Sequence, residues 1–312
     1  MALYISPPPQ LNIHNPFQAP HNLIANDFIS APHMHFPKEG LEMLYAAENR
    51  HFWHIARCEF IYNEVLRAFR RFYKLSPHTQ NIKSANTEST YFQEDYKNAK
   101  ILDVGAGTGS VTRYFLRNGF KHIALGEIYP QGLEYAKSYG ISQLFCMDLL
   151  DVPFRDEFDC IFAFDVIEHI ENDTLVLQNM RKMLKKHERS FIAISVPAHK
   201  WLWNAHDELL YHKRRYTKKH LVSLLQKCGF KIESARYFFT AITPLLYLRA
   251  LLNPAHKAHK QAHTPLRDVP PPFLFNKLLL HLCRFENTLQ NLASSFSAPF
   301  GGSLFVIARV AK

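Results

Sequence analysis

Residues 100–109 read Lys-Ile-Leu-Asp-Val-Gly-Ala-Gly-Thr-Gly, a short and mostly apolar run that enters a turn holding Gly105, Gly107 and Gly109. No other feature of the chain restricts its fold as much. A glycine-rich turn between a strand and a helix lets backbone approach a ligand closely and aims helix N-terminal amides at it. Downstream, short apolar runs alternate with helical stretches of about ten residues. Strand candidates are 122–125, 144–147, 158–164, 191–196, 231–238 and 304–310. Helix candidates between them are 131–139, 174–185 and 217–228, the last ending at Gly229 as a left-handed C-cap. Such alternation predicts right-handed βαβ units. The expected fold is α/β: a Rossmann-like, seven-stranded, mostly parallel sheet with helices on both faces, an N-terminal helical arm and a helical insertion before the last strand.

The flanks divide the chain. Residues 1–40 carry Pro7-Pro8-Pro9 and further prolines and read as an irregular arm. Residues 41–98 read as a helical extension and linker: Phe52, Ile55, Phe60, Ile61, Val65, Leu66 and Phe69 recur near the 3.6-residue period within a helix expected over 42–73. Residues 99–312 form the main domain. Two segments interrupt its alternation, 199–216 and 240–300, and are expected to cap the C-terminal edge of the sheet, where open α/β sheets bind ligands. Hydrophobic residues at 47% and charged residues at 21% exclude wholesale disorder. The net charge of +10 suggests an anionic partner without identifying it. Five scattered cysteines without a C-x-x-C pair argue against a disulfide framework or a Cys-built zinc site and suit a reducing cytoplasm. Neither a secretory signal nor a membrane-spanning run is expected. The nearest approach, 238–248, is short, contains Pro244 and precedes Arg249.

Dinucleotide binders space their glycines G-x-G-x-x-G, which would place Gly or Ala at 110, where this chain has Ser110. With Asp103 two residues before its first glycine, the turn instead resembles the D-x-G-x-G-x-G motif of the class I S-adenosylmethionine-dependent methyltransferases. The likeness runs in order through Glu127, Asp148-Leu149, Phe164-Asp165-Val-Ile-Glu168-His169 and Ser195-Val-Pro197. It implies S-adenosylmethionine as cofactor, held by Asp103, Gly105, Ala106, Gly107, Gly109, Glu127, Ile128, Asp148, Leu149, Phe164 and Asp165. Glu127 falls where the family's acid meets both ribose hydroxyls, and Asp148 where it meets the adenine amine. Asn49-Arg-His51-Phe52-Trp53 with Arg57, His212-Lys-Arg-Arg215-Tyr216-Thr217 and the Phe300-to-Leu304 segment are similar to features of a bacterial type 11/12-like branch.

Methyl transfer needs orientation, a desolvated site and, for some acceptors, removal of a proton. Candidates for that base are Asp165, His169, His199 and His206, of which Asp165, His169 and His199 are taken as the catalytic set. Asp165-x-x-Glu168-His169 also resembles a divalent-ion site of ubiquinone-pathway and RNA 2′-O-methyltransferases, with His199 in the place of a further ligand. The first position departs from the usual Glu, and no metal ligand is assigned. The expected function is methyl transfer, at oxygen, to a small-molecule or lipid-like acceptor. Segments 238–252 and 273–292 would wall its pocket or touch a membrane surface. Competing readings are an RNA methyltransferase whose Lys213, Arg214, Arg215, Lys218 and Lys219 meet phosphates, and a cofactor-binding protein without catalysis.

Overall fold

The computed structural model describes residues 3–4, 38–73, 95–255, 269–292 and 298–311. Strands β1 (Leu3–Tyr4), β2 (Lys100–Val104), β3 (His122–Glu127), β4 (Gln143–Cys146), β5 (Cys160–Phe164), β6 (Phe191–Pro197), β7 (Phe230–Phe238) and β8 (Ser303–Val310) make one sheet in the order β1-β4-β3-β2-β5-β6-β8-β7. The central strands β4-β3-β2-β5-β6 are parallel, whereas β8 runs antiparallel to both β6 and β7. The seven strands expected from sequence are these last seven. The eighth is a two-residue edge strand inside the arm read as irregular, with Leu3 opposite Cys146 and Tyr4 opposite Phe145. Chain order reverses on either side of β2, which leaves a crevice above the C-terminal ends of β2 and β5.

The helices are α1 (Lys38–Ala47), α2 (Phe52–Phe72), α3 (Ser110–Arg117), α4 (Pro130–Ser138), α5 (Asp173–Met183), α6 (Ala205–Leu209), α7 (Lys218–Lys227), α8 (Thr243–Leu252) and α9 (Phe273–Leu292). The continuous helix expected over 42–73 is broken. Residues 48–51 turn, and His51 starts α2 by accepting a hydrogen bond from Trp53 N at 3.1 Å. Thr217 caps α7 through His220 N at 3.2 Å, and Gly229 beyond its end takes φ +83°.

Side chains of the buried strands alternate between two core layers. Leu102, Val104, Ile161, Ile192 and Ile194 meet Val176 and Met180 of α5 and Leu221 and Leu225 of α7. On the other face Ile101, Phe162, Phe191 and Phe305 meet Phe60, Ile61, Val65 and Phe69 of α2 and Phe115 of α3. The N-terminal extension is thus one layer of the main core rather than an appendage. Its Phe69 is fully buried and contributes roughly 1.5–3 kcal/mol by leaving water.

Candidate functional site

A cavity of about 800 Å³ lies over the crevice, floored by the glycine turn and the ends of β3, β5 and β6. Residues of α1 and the start of α2 close one side, and 202–215, α8 and the first turns of α9 close the others. Asp103, Gly105, Ala106, Gly107, Glu127 and Ile128 line it, as do Asp148, Leu149, Phe164, Asp165, His169 and His206. Gly109 and His199 do not line it.

The turn needs its glycines. Gly105 and Gly107 have φ of +59° and +56°, a region L side chains enter at a cost. A Cβ on Gly105 would also stand 2.7 Å from Val166 Cγ1. Gly109, at φ +79°, precedes α3, where a Cβ would strike Leu125 Cδ1 at 2.8 Å. Its place is therefore set by packing. Beside the turn, Glu127 Oε2 accepts from Gly107 N at 2.8 Å, and Oε1 accepts from Ile128 N at 2.8 Å and Tyr129 N at 3.0 Å. A carboxylate offers about four lone-pair sites, so one stays open to a hydroxyl. Burial raises the Glu127 carboxyl against those amide bonds. Asp103 accepts from Thr112 Oγ1 at 2.6 Å, and burial pushes it up to about 7 despite that bond. From the α1–α2 turn, buried Glu48 accepts from Thr108 Oγ1 at 2.5 Å and from the Tyr139 hydroxyl. The N-terminal segment is thereby tied to the glycine turn.

At the other end of the cavity the backbone is strained. Asp165 has φ +58°. Its amide donates to Ser195 O at 2.9 Å, its Oδ1 accepts from Ser195 Oγ at 3.1 Å, and Arg57 Nε sits 2.6 Å from its Oδ2. Arg57 also donates to Phe164 O at 2.9 Å. One turn on, Glu168 is wholly buried, and neither carboxylate oxygen has a hydrogen-bond partner among the described residues. Burial, then the Asp165 charge, raises it well above the ordinary carboxylate range. Burial and then His212 push His169 down to about 3, so its ring is neutral. His212 Nδ1 lies 2.8 Å from Asp207, which also takes two bonds from Arg215 at 2.8 and 2.9 Å. Burial would raise Asp207, but these partners hold it down at about 2.

His199, also at positive φ (+57°), stacks between Trp201 and Tyr237 at ring distances of 5.1 and 4.8 Å. Burial lowers its ring as well. The residues of the divalent-ion resemblance, to which no metal ligand was assigned, are not brought together: Asp165 is paired with Arg57, and His199 lies off the cavity. Glu168 and His169 instead bring one ligand atom each within 4.8 Å of one on His212.

Several of these residues were beyond sequence reasoning. Glu48 looks like an ordinary helix acid, and Asp207 carries no motif. Arg57 follows the His51-Phe52-Trp53 segment, yet nothing in its spacing points to Asp165. Of the basic run at 213–219, Arg214 donates to Asp173 at 2.7 Å and Arg215 is held by Asp207, so two of its five cations serve the fold.

Residues 102–192 match the family model described as "Methyltransferase domain". The chain is 26% identical over 174 residues to the biotin biosynthesis bifunctional protein BioHC of Cellvibrio japonicus, covering 52% of this chain and 34% of that one. It is 30% identical over 90 residues to the ubiquinone biosynthesis O-methyltransferase of Nitrobacter winogradskyi, covering 28% and 34%. It thus spans about a third of the length of each of these curated relatives. Among solved structures, phosphoethanolamine N-methyltransferase 2 of Haemonchus contortus in complex with S-adenosyl-L-methionine aligns with TM-score 0.46 at 14% identity, over 80% of this chain and 53% of that one. The glycine turn at the switch point of the sheet and the acid at the end of β3 both lie within residues 102–192, the part of the chain that matches a methyltransferase domain.

Proposed function

We propose that this protein transfers a methyl group from S-adenosylmethionine to an oxygen of a small-molecule or lipid-like acceptor. The observation that carries the choice of oxygen is Glu168, a buried carboxyl on the cavity wall with both oxygens unpartnered and a raised proton affinity. A hydroxyl must lose its proton as it attacks, and a base works best when its pKa lies near the working pH. The cofactor supplies an electrophilic methyl on a sulfonium that is already a good leaving group.

The chain supplies the rest. The open turn at Gly105 and Gly107 admits the ligand backbone-close, and the free acceptor site on Glu127 receives a hydroxyl of it. Arg57 clamps Asp165 and so fixes the floor beneath Phe164. Glu168 takes the acceptor proton, while neutral His169 packs beside it without competing for charge. No step is routed through a metal. An RNA acceptor is less well supported, because Arg214 and Arg215 are turned to internal acids.

The test is incubation with labelled adenosylmethionine and fractionated cell extract, followed by identification of the labelled product. A label on an ether or ester oxygen supports the reading, and a label on nitrogen refutes it. Glu168→Gln should keep cofactor binding by calorimetry and lose turnover by roughly 10²- to 10⁴-fold. Titration with Mn²⁺ should give no heat, and a chelator should leave turnover unchanged. Wild-type turnover by the Gln variant would end the assignment of Glu168.

A further inference from the structure

Helix α9 is amphipathic in the wrong sense for a helix facing water. Its inward side holds Leu279 and Cys283 but also Glu286, Asn287 and Gln290, all buried. Glu286 accepts from Thr240 N and Ala241 N, both at 2.9 Å, and the Gln290 carbonyl accepts from Arg236 at 2.8 Å. Its outward side is a stripe of Leu274, Leu278, Leu282, Phe285, Leu289 and Leu292, spaced three or four residues apart. Leu274 and Leu292 are 78% and 80% exposed. The neighbouring α8 adds Leu248, Leu251 and Leu252, each at least half exposed. A continuous apolar face of this kind marks a surface that is covered in use.

Two observations identify what covers it. The first is charge. Lys277 and His281 are exposed on α9 beside the stripe, and Arg249 stands on α8. The sequence joining the two helices, 253–272, holds Lys257, Lys260 and Arg267 with three histidines against the one acid Asp268. Apolar residues flanked by cations suit the boundary of an anionic bilayer, where each Lys or Arg contributes about 1 kcal/mol. The second is the cavity. Leu245, Leu248, Leu252, Val269 and Phe275 line it and are also exposed, so its mouth opens on this same face. A second copy of the chain seated there would lie across the mouth, whereas a bilayer would feed it. The α9 helix, about 30 Å long by its 20 residues, is not apolar enough to cross a membrane, and its one-sided stripe suits a helix lying along an interface.

We infer that the α8–α9 face docks on an anionic lipid surface and that the acceptor is an amphiphile drawn from it, tail between α8 and α9 and polar head toward Glu168. The second half rests on the proposed methyl transfer; the docking does not. Sedimentation of the full chain with phosphatidylcholine vesicles, with and without phosphatidylglycerol, tests it, using a variant with Leu274→Glu, Leu278→Glu and Phe285→Glu. The wild type should bind the anionic vesicles at least ~10-fold more tightly than the neutral ones, and the variant should lose at least ~10-fold, since it sets charges against lipid. Calorimetry with adenosylmethionine should give equal affinities for both proteins and so certify the variant's fold. Equal sedimentation of variant and wild type, equal binding to both vesicle types, or no binding alongside a dimer that the variant splits by light scattering would each overturn the docking. Failure to transfer methyl, with docking intact, would instead sink the proposed reaction.

Discussion

Gly132, in the first turn of α4, lies outside the glycine motif and yet governs it. A Cβ there would stand 2.5 Å from Gly107 O and 3.1 Å from Glu127 Cγ. The nearest atom is backbone, so it cannot swing aside. To reach ordinary contact at 3.4 Å, the Gly107 carbonyl must retreat by about 0.9 Å. Two effects oppose each other in Gly132→Ala. Helix propensity favours Ala by about 0.8–1.0 kcal/mol, while overpacking costs about 1–3 kcal/mol. A net loss of about 0–2 kcal/mol is expected, and Gly107 N is drawn off its 2.8 Å bond to Glu127. Affinity for adenosylmethionine should then fall at least ~10-fold, or about 1.4 kcal/mol. Gly140→Ala is the control. Its φ is +81° with nothing within 4 Å of the new Cβ, so it should lose a similar ~1–2 kcal/mol through strain alone. Thermal melts and calorimetry on both variants separate stability from binding. Wild-type affinity in Gly132→Ala would show that the turn tolerates the shift and that its geometry does not set binding.

Two further predictions concern buried acids. Asp207→Asn should cost about 3–5 kcal/mol in denaturant melts, because it leaves Arg215 without its buried counter-charge. Since Asp207 is held low, at about 2, its stabilisation is present above the ordinary carboxylate range and should drain away as pH falls from ~4 toward 2. Asp103 acts with the opposite sign: raised to about 7, it keeps a proton that the unfolded chain has released. Its contribution should be full below pH ~4 and decline as pH rises to about 7, by up to ~4 kcal/mol. Asp103→Asn should flatten that slope, and an unchanged slope would remove Asp103 as its source.

The strands and the turn were readable from sequence because a sheet covered on both faces demands unbroken apolar runs, as at 160–164 and 191–197. The chemistry of the crevice was readable only in part. Asp165 and Glu168 are three residues apart in one motif, yet Arg57, arriving from another layer, engages the first and leaves the second bare. His212 reaches His169 because residues 202–215 fold back over the site, a return that spacing does not encode. For α9, periodicity predicts a helix but not which face meets the protein. Glu286 turns inward because the amides of Thr240 and Ala241 need an acceptor, and Gln290 because its side-chain amide donates to Tyr237 O and Glu286 Oε1.

The placement of β8 has a bearing on how the molecule comes together in time. Among the described residues, strand β7 pairs with β8 alone, and β8 also supplies the partner of β6 on that side. On a ribosome, residues 230–238 therefore emerge with bare edges and stay so until 303–310 follow. During that interval the chain presents an unpaired strand together with the apolar stripe of α9, the combination that invites association with other nascent chains. Rapid capture of β8 is thus the step on which soluble yield should depend. Slowing translation between the two strands should lower that yield more than slowing it anywhere before β6.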